Sequence, residues 1–350
     1  MDSPTTTPRL NLHKKLAWLI SAREQSDFYN CRNQAGLLFQ GSRAVQDPAV
    51  VDHIKEIFSQ DLRTLGLNQR SNLSILKETM HQWIAQHRSS QLQGLDQYRI
   101  DFASGTTQSF DSFYYRHRQL QMRCFVGEYF YHLKTWTSNA SPWSFVTEHD
   151  PLVPGDALVV SLPFCDTGTV LPDLDKILDL CDSAGIPVLI DACYYPISGN
   201  IFADLAHDCV DTVAFSLSKA FPVANLRIGI RYTKPNIFDG QALHDSINYN
   251  NTLGAYIGLE LIKKFGCDYI YNTYKDRQQE VCEFFGLESS NSVLFAIGDQ
   301  RWKQYNRANL LDAYQLTLDA DQFKNRISLV SIFDNWDLFE FVKYETTTKI

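Results

Sequence analysis

The sequence predicts an α/β protein built on a mostly parallel sheet, and three observations carry that reading. Between Pro187 and Gly229 lies PVLIDACYYPISGNIFADLAHDCVDTVAFSLSKAFPVANLRIG, which holds two short β-branched apolar runs, residues 187–190 and 212–215. Such runs suit strands buried on both faces. Each run ends in polar residues, Asp191 and Tyr194 after the first and Ser216, Ser218 and Lys219 after the second. In a parallel sheet the carboxyl ends of the strands open onto the crevice where ligands bind, so Asp191 and Lys219 can meet there despite their separation in the chain. A helical stripe of Leu174, Ile177, Leu178 and Cys181 leads to Gly185 just before the first run, completing a βαβ unit of right-handed expectation.

The remaining elements follow in order. Residues 1–8 are polar and proline-flanked, which predicts disorder. Residues 11–26 place Leu12, Leu16, Leu19 and Ile20 on one helical face, and two further helices are expected over 50–57 and 73–84. Residues 98–103 form a strand that runs into SGTTQSF (104–110) and an aromatic helix. A small glycine-containing turn between strand and helix offers backbone N–H groups and hydroxyls to an anion, so Gly105, Thr106 and Thr107 are candidates for a phosphate cradle. Strands are expected at 122–127, 157–162 and 226–232, and a long amphipathic helix at 243–265. Near the C-terminus, SVLFAIGD (292–299) and RISLVSIF (326–333) read as strands, with residues 300–311 between them.

Composition excludes several classes. A chain of 350 residues can bury a large core and accommodates one large domain with a smaller one against it. Its 44% apolar and 21% charged content is that of a soluble globular protein. The net charge of −8, without a long basic run, argues against a nucleic-acid partner. Eight cysteines without a C-x-x-C pair argue against a zinc knuckle or disulfide framework, so no metal is expected. No stretch reaches the roughly 18 apolar residues of a membrane span, and the N-terminus has no cleavage-site pattern. These features imply a cytoplasmic protein with no membrane partner.

A lysine, an aspartate, a tyrosine, two serines and an arginine at this spacing suit one coenzyme. Pyridoxal 5'-phosphate needs an amine for its aldehyde, a carboxylate for its ring nitrogen, a hydroxyl for its O3′, and cationic and hydroxyl groups for its phosphate. The runs Asp191-Ala192-Cys193-Tyr194, Ser216-Leu217-Ser218-Lys219 and Arg227-Ile228-Gly229 resemble the D-x-x-Y, S-x-S-K and R-x-G pattern of the class I/II aminotransferases, the fold-type-I pyridoxal phosphate enzymes.

The resemblance implies a large domain with a seven-stranded sheet between helices (46–265) and a small α+β domain formed by 266–350 with an N-terminal arm and lid (1–45). It implies that Lys219 is the Schiff-base lysine and general base, that Asp191 holds the ring nitrogen and that Tyr194 tunes O3′. Ser216, Ser218 and Arg227 would hold the phosphate with the 105–107 turn, and Tyr129 would stack on the ring. Arg326, in RISL, would pair with the substrate carboxylate. Glu24, Asp27 and Tyr29 are lid candidates. A homodimer is implied, with Asn250 and Asn251 at the start of the long helix either near the partner or on a solvated face.

Two departures stand out. Where relatives carry a tyrosine-glycine pair that serves the neighbouring subunit, this chain has Leu65-Gly66. Where they read N-P-x-N-P-T-G, it has PFCDTG (163–168), with Cys165 at the position of the asparagine that donates to O3′ and Asp166 beside it. A thiol is a weak donor.

The implied chemistry begins with removal of the α-proton of a free L-amino acid and can then diverge. The preferred reading is elimination and cyclisation of a hydroxyarginine-like substrate, as in the short, divergent cyclodehydratases that form capreomycidine or enduracididine. Glu24, Asp27 and Asp166 could face its guanidinium. The alternatives are an amino-acid aminotransferase using a 2-oxoacid, an arginine oxidase, and a non-catalytic module that retains the fold.

Overall fold

The computed structural model describes residues 43–61, 71–129, 131–132, 143–305 and 324–347. Helices α1 (Pro48–Phe58) and α2 (Ser71–Ala85) occupy the two predicted helical stripes. The chain continues through β1 (Gln91–Gln93), β2 (Arg99–Ala103), α3 (Thr106–Arg116), β3 (Gln121–Phe125), β4 (Ser144–Val146) and β5 (Asp156–Ser161). Helix α4 (Leu174–Ala184) leads to β6 (Val188–Asp191), β7 (Phe202–Asp204), β8 (Val210–Ser216) and β9 (Gly229–Thr233). Helices α5 (Gly240–Ser246), α6 (Thr252–Lys264) and α7 (Tyr269–Phe285) come next. A small sheet of β10 (Glu288–Ser289), β11 (Phe295–Gly298) and β12 (Asn325–Ser328) precedes α8 (Val330–Phe333) and α9 (Trp336–Thr347).

The central sheet has seven strands in the order β2-β9-β8-β6-β5-β3-β4. Strands β4, β3, β5, β6 and β8 are mutually parallel, and β9 runs antiparallel to both of its neighbours. Every residue of β5, β6 and β8 is buried, as unalternating apolar strands require. The two-residue period still sorts their side chains. Leu158, Val160, Val188, Ile190, Val213 and Phe215 pack with Leu76 of α2, Leu178 of α4 and Leu261 of α6. Ala157, Val159, Leu189 and Ala214 face the other way, under Phe110, Phe113 and Tyr114 of α3. Small residues on that face make room for the aromatic helix, and each large apolar side chain so buried contributes about 1.5–3 kcal/mol.

Three expected elements differ in the structure. The helix predicted over 243–265 is two helices, broken at residues 247–251, where Asn248 adopts a left-handed φ of 54°. Asn251 restarts it: its Oδ1 accepts from the Gly254 N–H at 2.8 Å, and its Nδ2 donates to the Leu226 carbonyl at 2.8 Å. Asparagine side chains compete for backbone groups in this way, which apolar periodicity does not register. The strand expected over 226–232 begins only at Gly229, because Arg227 is left-handed after a 3-10 turn at Ala224–Leu226. Gly229 permits close backbone approach: a Cβ there would lie 2.3 Å from the Phe215 carbonyl oxygen. The run at 326–333 pairs as a strand only to Ser328 and then turns into α8, an outcome a short apolar run leaves undecided.

Candidate active site

The site forms where β6 and β8 end. These parallel neighbours place Asp191 opposite Ala214, and β5 on the other side places Ser161 opposite Asp191. Beyond the strand ends the chain turns, presenting Asp191, Cys193 and Tyr194 from β6 and Ser216, Ser218 and Lys219 from β8 to one cleft. Ala224 and Arg227 close it on one side, and Thr106, Thr107, Tyr129 and Cys165 complete the lining. The cleft encloses about 590 Å³ including its open mouth.

Of the predicted cofactor residues, only Gly105 lies outside this lining, and it shapes the cleft from behind. Its φ of 73° belongs to the glycine region, and a Cβ would meet the Arg227 Nη2 at 2.2 Å. Arg227 can therefore lie across the turn, where its Nη2 donates to Thr107 Oγ1 at 2.9 Å and its Nη1 to the Ala224 carbonyl at 3.2 Å. Gly105 brings no capping side chain to α3, so the N-terminus of this helix and one guanidinium converge on the same end of the cleft. The Ser218 hydroxyl in the lining is buried without a hydrogen-bond partner among the described residues. Ser216 Oγ, by contrast, lies 3.3 Å from Cys193 Sγ and accepts from the Ser218 N–H at 3.4 Å.

Asp191 lines the same cleft. Burial pushes its carboxyl up to about 7, against the Cys193 N–H that donates to its Oδ1 at 3.1 Å and the charge of Lys219. A carboxylate so placed favours a bound proton or a cationic N–H partner. The Lys219 Nζ lies 5.4 Å from the centre of the Tyr194 ring. Burial also raises the Cys193 thiol to about 11.

Arg326 on β12 sits beside the cleft instead of lining it. It is buried, donates to the Cys165 carbonyl oxygen, lies 3.2 Å from Cys165 Sγ and stands over the Phe295 ring at 5.2 Å. Burial opposes its charge, and Cys165, Tyr194 and Asp166 more than offset that cost. Burial raises the Asp166 carboxyl to about 6, partly countered by Arg326. Glu24, Asp27, Tyr29 and the Leu65-Gly66 pair lie outside the described residues. Sequence reasoning passed over Cys193 and Ala224 in the lining and Glu128 beneath it. Cys193 lay within the quoted run, and Glu128 follows a strand end, the same signal that singled out Asp191.

The arrangement fits pyridoxal 5'-phosphate on its own chemistry: one cleft is lined by an orphaned hydroxyl, a guanidinium at a helix N-terminus, a buried acid and an amine near the Tyr194 ring. Residues 148–283 match a family model described as aminotransferase class I and II. That span contains Cys165, Asp191, Tyr194, Lys219 and Arg227, while the 105–107 turn, Tyr129 and Arg326 lie beyond it. No curated protein sequence matches. Among solved structures, N-succinyldiaminopimelate aminotransferase from Mycobacterium tuberculosis is similar at 13% identity and TM-score 0.62, covering 93% of this chain and 96% of that one. The PLP-bound C-S lyase from Staphylococcus hominis is similar at 12% and 0.61, over 91% and 94%. Histidinol-phosphate aminotransferase from Clostridium acetobutylicum is similar at 12% and 0.58, over 87% and 96%.

Proposed function

We propose that this chain is an enzyme that carries pyridoxal 5'-phosphate on Lys219 and removes the α-proton of a free L-amino acid. The observation that carries this reading is the convergence of Asp191, Lys219, Arg227 and the unpartnered Ser218 hydroxyl on one cleft. When bound, the coenzyme supplies an aldehyde that condenses with amines and a ring that takes up the electron pair left at the α-carbon.

The residues divide the remaining work. With the coenzyme bound, the Lys219 amine would hold it and would take the α-proton of the substrate. Asp191 holds a proton on the ring nitrogen, the Tyr194 hydroxyl serves O3′, and Tyr129 covers the ring face. Ser218, Arg227, Thr106 and Thr107 hold the phosphate. Ser216, already engaged by Cys193 and the Ser218 N–H, supports Ser218. Arg326 orients the substrate carboxylate from behind Cys165.

After proton removal we favour elimination and ring closure on a hydroxyarginine-like substrate. Cys165 supports this: its thiol is a weaker donor to O3′ than an amide and is in contact with Arg326, which would alter the electronics next to the substrate. Asp166, half-buried beside Arg326, would meet a guanidinium. Amine transfer to a 2-oxoacid is the competing outcome, matching the names of two of the three similar structures quoted, and oxidation of arginine is a third. A cytoplasmic homodimer completes the proposal, supported by the exposed Phe238, Leu243, Ile247 and Tyr249 around α5. Among the described residues, no helix is long and apolar enough to cross a membrane.

The test incubates pure protein with arginine, hydroxyarginines and common amino acids, with and without 2-oxoglutarate, and reads products by mass. Loss of water without amine transfer is expected, and amine exchange that depends on the oxoacid would overturn the cyclase reading.

A further inference from the structure

Directly before Tyr129, and outside the machinery assigned so far, Glu128 is 1% exposed. Its Oε1 accepts from the Ser161 backbone N–H at 2.7 Å, and its Oε2 lies against the Ser161 hydroxyl. Ser161 ends β5, and its Cα is the register partner of Asp191 on β6. The side chain thus joins the segment that carries the Tyr129 ring to the strand next to the acid beneath the pocket.

Among the described residues, no lysine, arginine or histidine is bonded to Glu128. Facing it are Ser161 from β5, the Cys124 thiol from β3, the Tyr129 N–H and the Asp191 carboxyl from β6. His132, one turn further on, is itself buried and pushed down to about 3, so it brings no compensating positive charge. A buried carboxyl with no cation and a second carboxyl nearby binds its proton instead of ionising. Burial, with the neighbouring Asp191 adding to it, raises Glu128 to about 8 despite the Ser161 bonds.

We infer that Glu128 is a positioning residue that works as the neutral acid: it pins the Tyr129 segment to Ser161 and leaves Asp191 as the single negative charge beneath the coenzyme ring. In this form Oε1 accepts from the Ser161 N–H while the acid proton is donated to the Ser161 hydroxyl. The proposal rests on the pyridoxal phosphate reading for its role, but not for the protonation state, and the two are tested apart.

A glutamine side chain offers one acceptor and one donor in the same shape as the neutral acid. The first measurement is infrared difference spectroscopy of coenzyme-free protein at neutral pH, wild type against Glu128→Gln. A protonated-carboxyl C=O band that vanishes in the variant is expected, and a change confined to carboxylate bands would overturn the proposal. The second is titration of pyridoxal 5'-phosphate into each variant, followed by visible absorbance and induced circular dichroism. Glu128→Gln should keep affinity within about threefold, whereas Glu128→Ala and Ser161→Ala should each weaken it about tenfold, as loss of a buried hydrogen-bonding partner does. Equal loss in Glu128→Gln and Glu128→Ala would overturn the inference, and Ser161→Ala serves if Glu128→Ala fails to fold. If coenzyme fails to bind even the wild type while the acid band is present, the coenzyme reading falls and the neutral Glu128 stands.

Discussion

Two buried ionic arrangements lie on the same sheet, and they are satisfied to very different degrees. On β9, Arg231 is fully buried and donates to Asp101 at 2.6 and 3.2 Å and to Asp239 at 2.7 and 2.9 Å. Arg116 adds a further bond to Asp239 at 2.6 Å, and although burial opposes it, Asp239 is held well below the usual carboxylate range. Around the cleft the balance reverses. Asp191 and Glu128 are pushed up to about 7 and about 8, and the Ser218 hydroxyl has no partner. Charges that the chain itself neutralises hold structure together, while groups whose needs the chain leaves unmet mark the cleft proposed to bind the ligand.

The comparison can be broken at either end. Lys219→Ala should abolish the covalent absorbance of added pyridoxal 5'-phosphate and lower turnover by at least the ~10²–10⁴-fold typical of a lost general base, with an unchanged melting temperature. Arg231→Ala should do the opposite, destabilising the fold by up to about 3–5 kcal/mol through loss of the buried guanidinium that Asp101 and Asp239 share, although Arg99 and Arg116 still pair with them, with the coenzyme spectrum of the folded fraction unaltered. A loss of coenzyme binding in folded Arg231→Ala protein would remove the distinction.

pH sharpens it. Asp191 and Glu128 rise from ordinary values of 3.8 and 4.5 to about 7 and about 8. A carboxyl whose folded pKa is raised contributes its full stability below the unfolded value and loses it as pH climbs toward the folded value. The unfolding free energy of coenzyme-free protein, read from urea titrations, should therefore fall across that window, by up to ~1.4 kcal/mol per pH unit for each group. Asp191→Asn combined with Glu128→Gln should flatten the slope, and a double variant as steep as the wild type would contradict the assignment. Gly105→Ala should have the smallest effect, about 1–3 kcal/mol of backbone strain. Because its Cβ would displace the Arg227 guanidinium, the change should appear mainly as weaker binding of pyridoxal 5'-phosphate in a fluorescence titration.

Much of this was legible from local pattern. Residues 187–190 and 212–215 could only be strands if buried on both faces, and polar residues at their ends had to face a crevice, so Asp191, Lys219 and the fold class followed from the chain alone. Apolar periodicity failed where polar side chains capture the backbone, as Asn251 does at the break in the predicted helix, and where a short apolar run bends, as after Ser328. It also could not separate Ser216 from Ser218, because both follow the same strand.

What the chain alone determined, then, is the set of buried strands and the polar residues they must carry at their carboxyl ends, since both follow from short unalternating β-branched runs and the cost of burying a bare charge. Only the tertiary structure decided which of those groups found partners. The seating of Arg227 behind Gly105, of Arg326 against Cys165 and of Glu128 on Ser161 depends on contacts between segments far apart in the chain, and burial shifts a carboxyl only once those neighbours are in place.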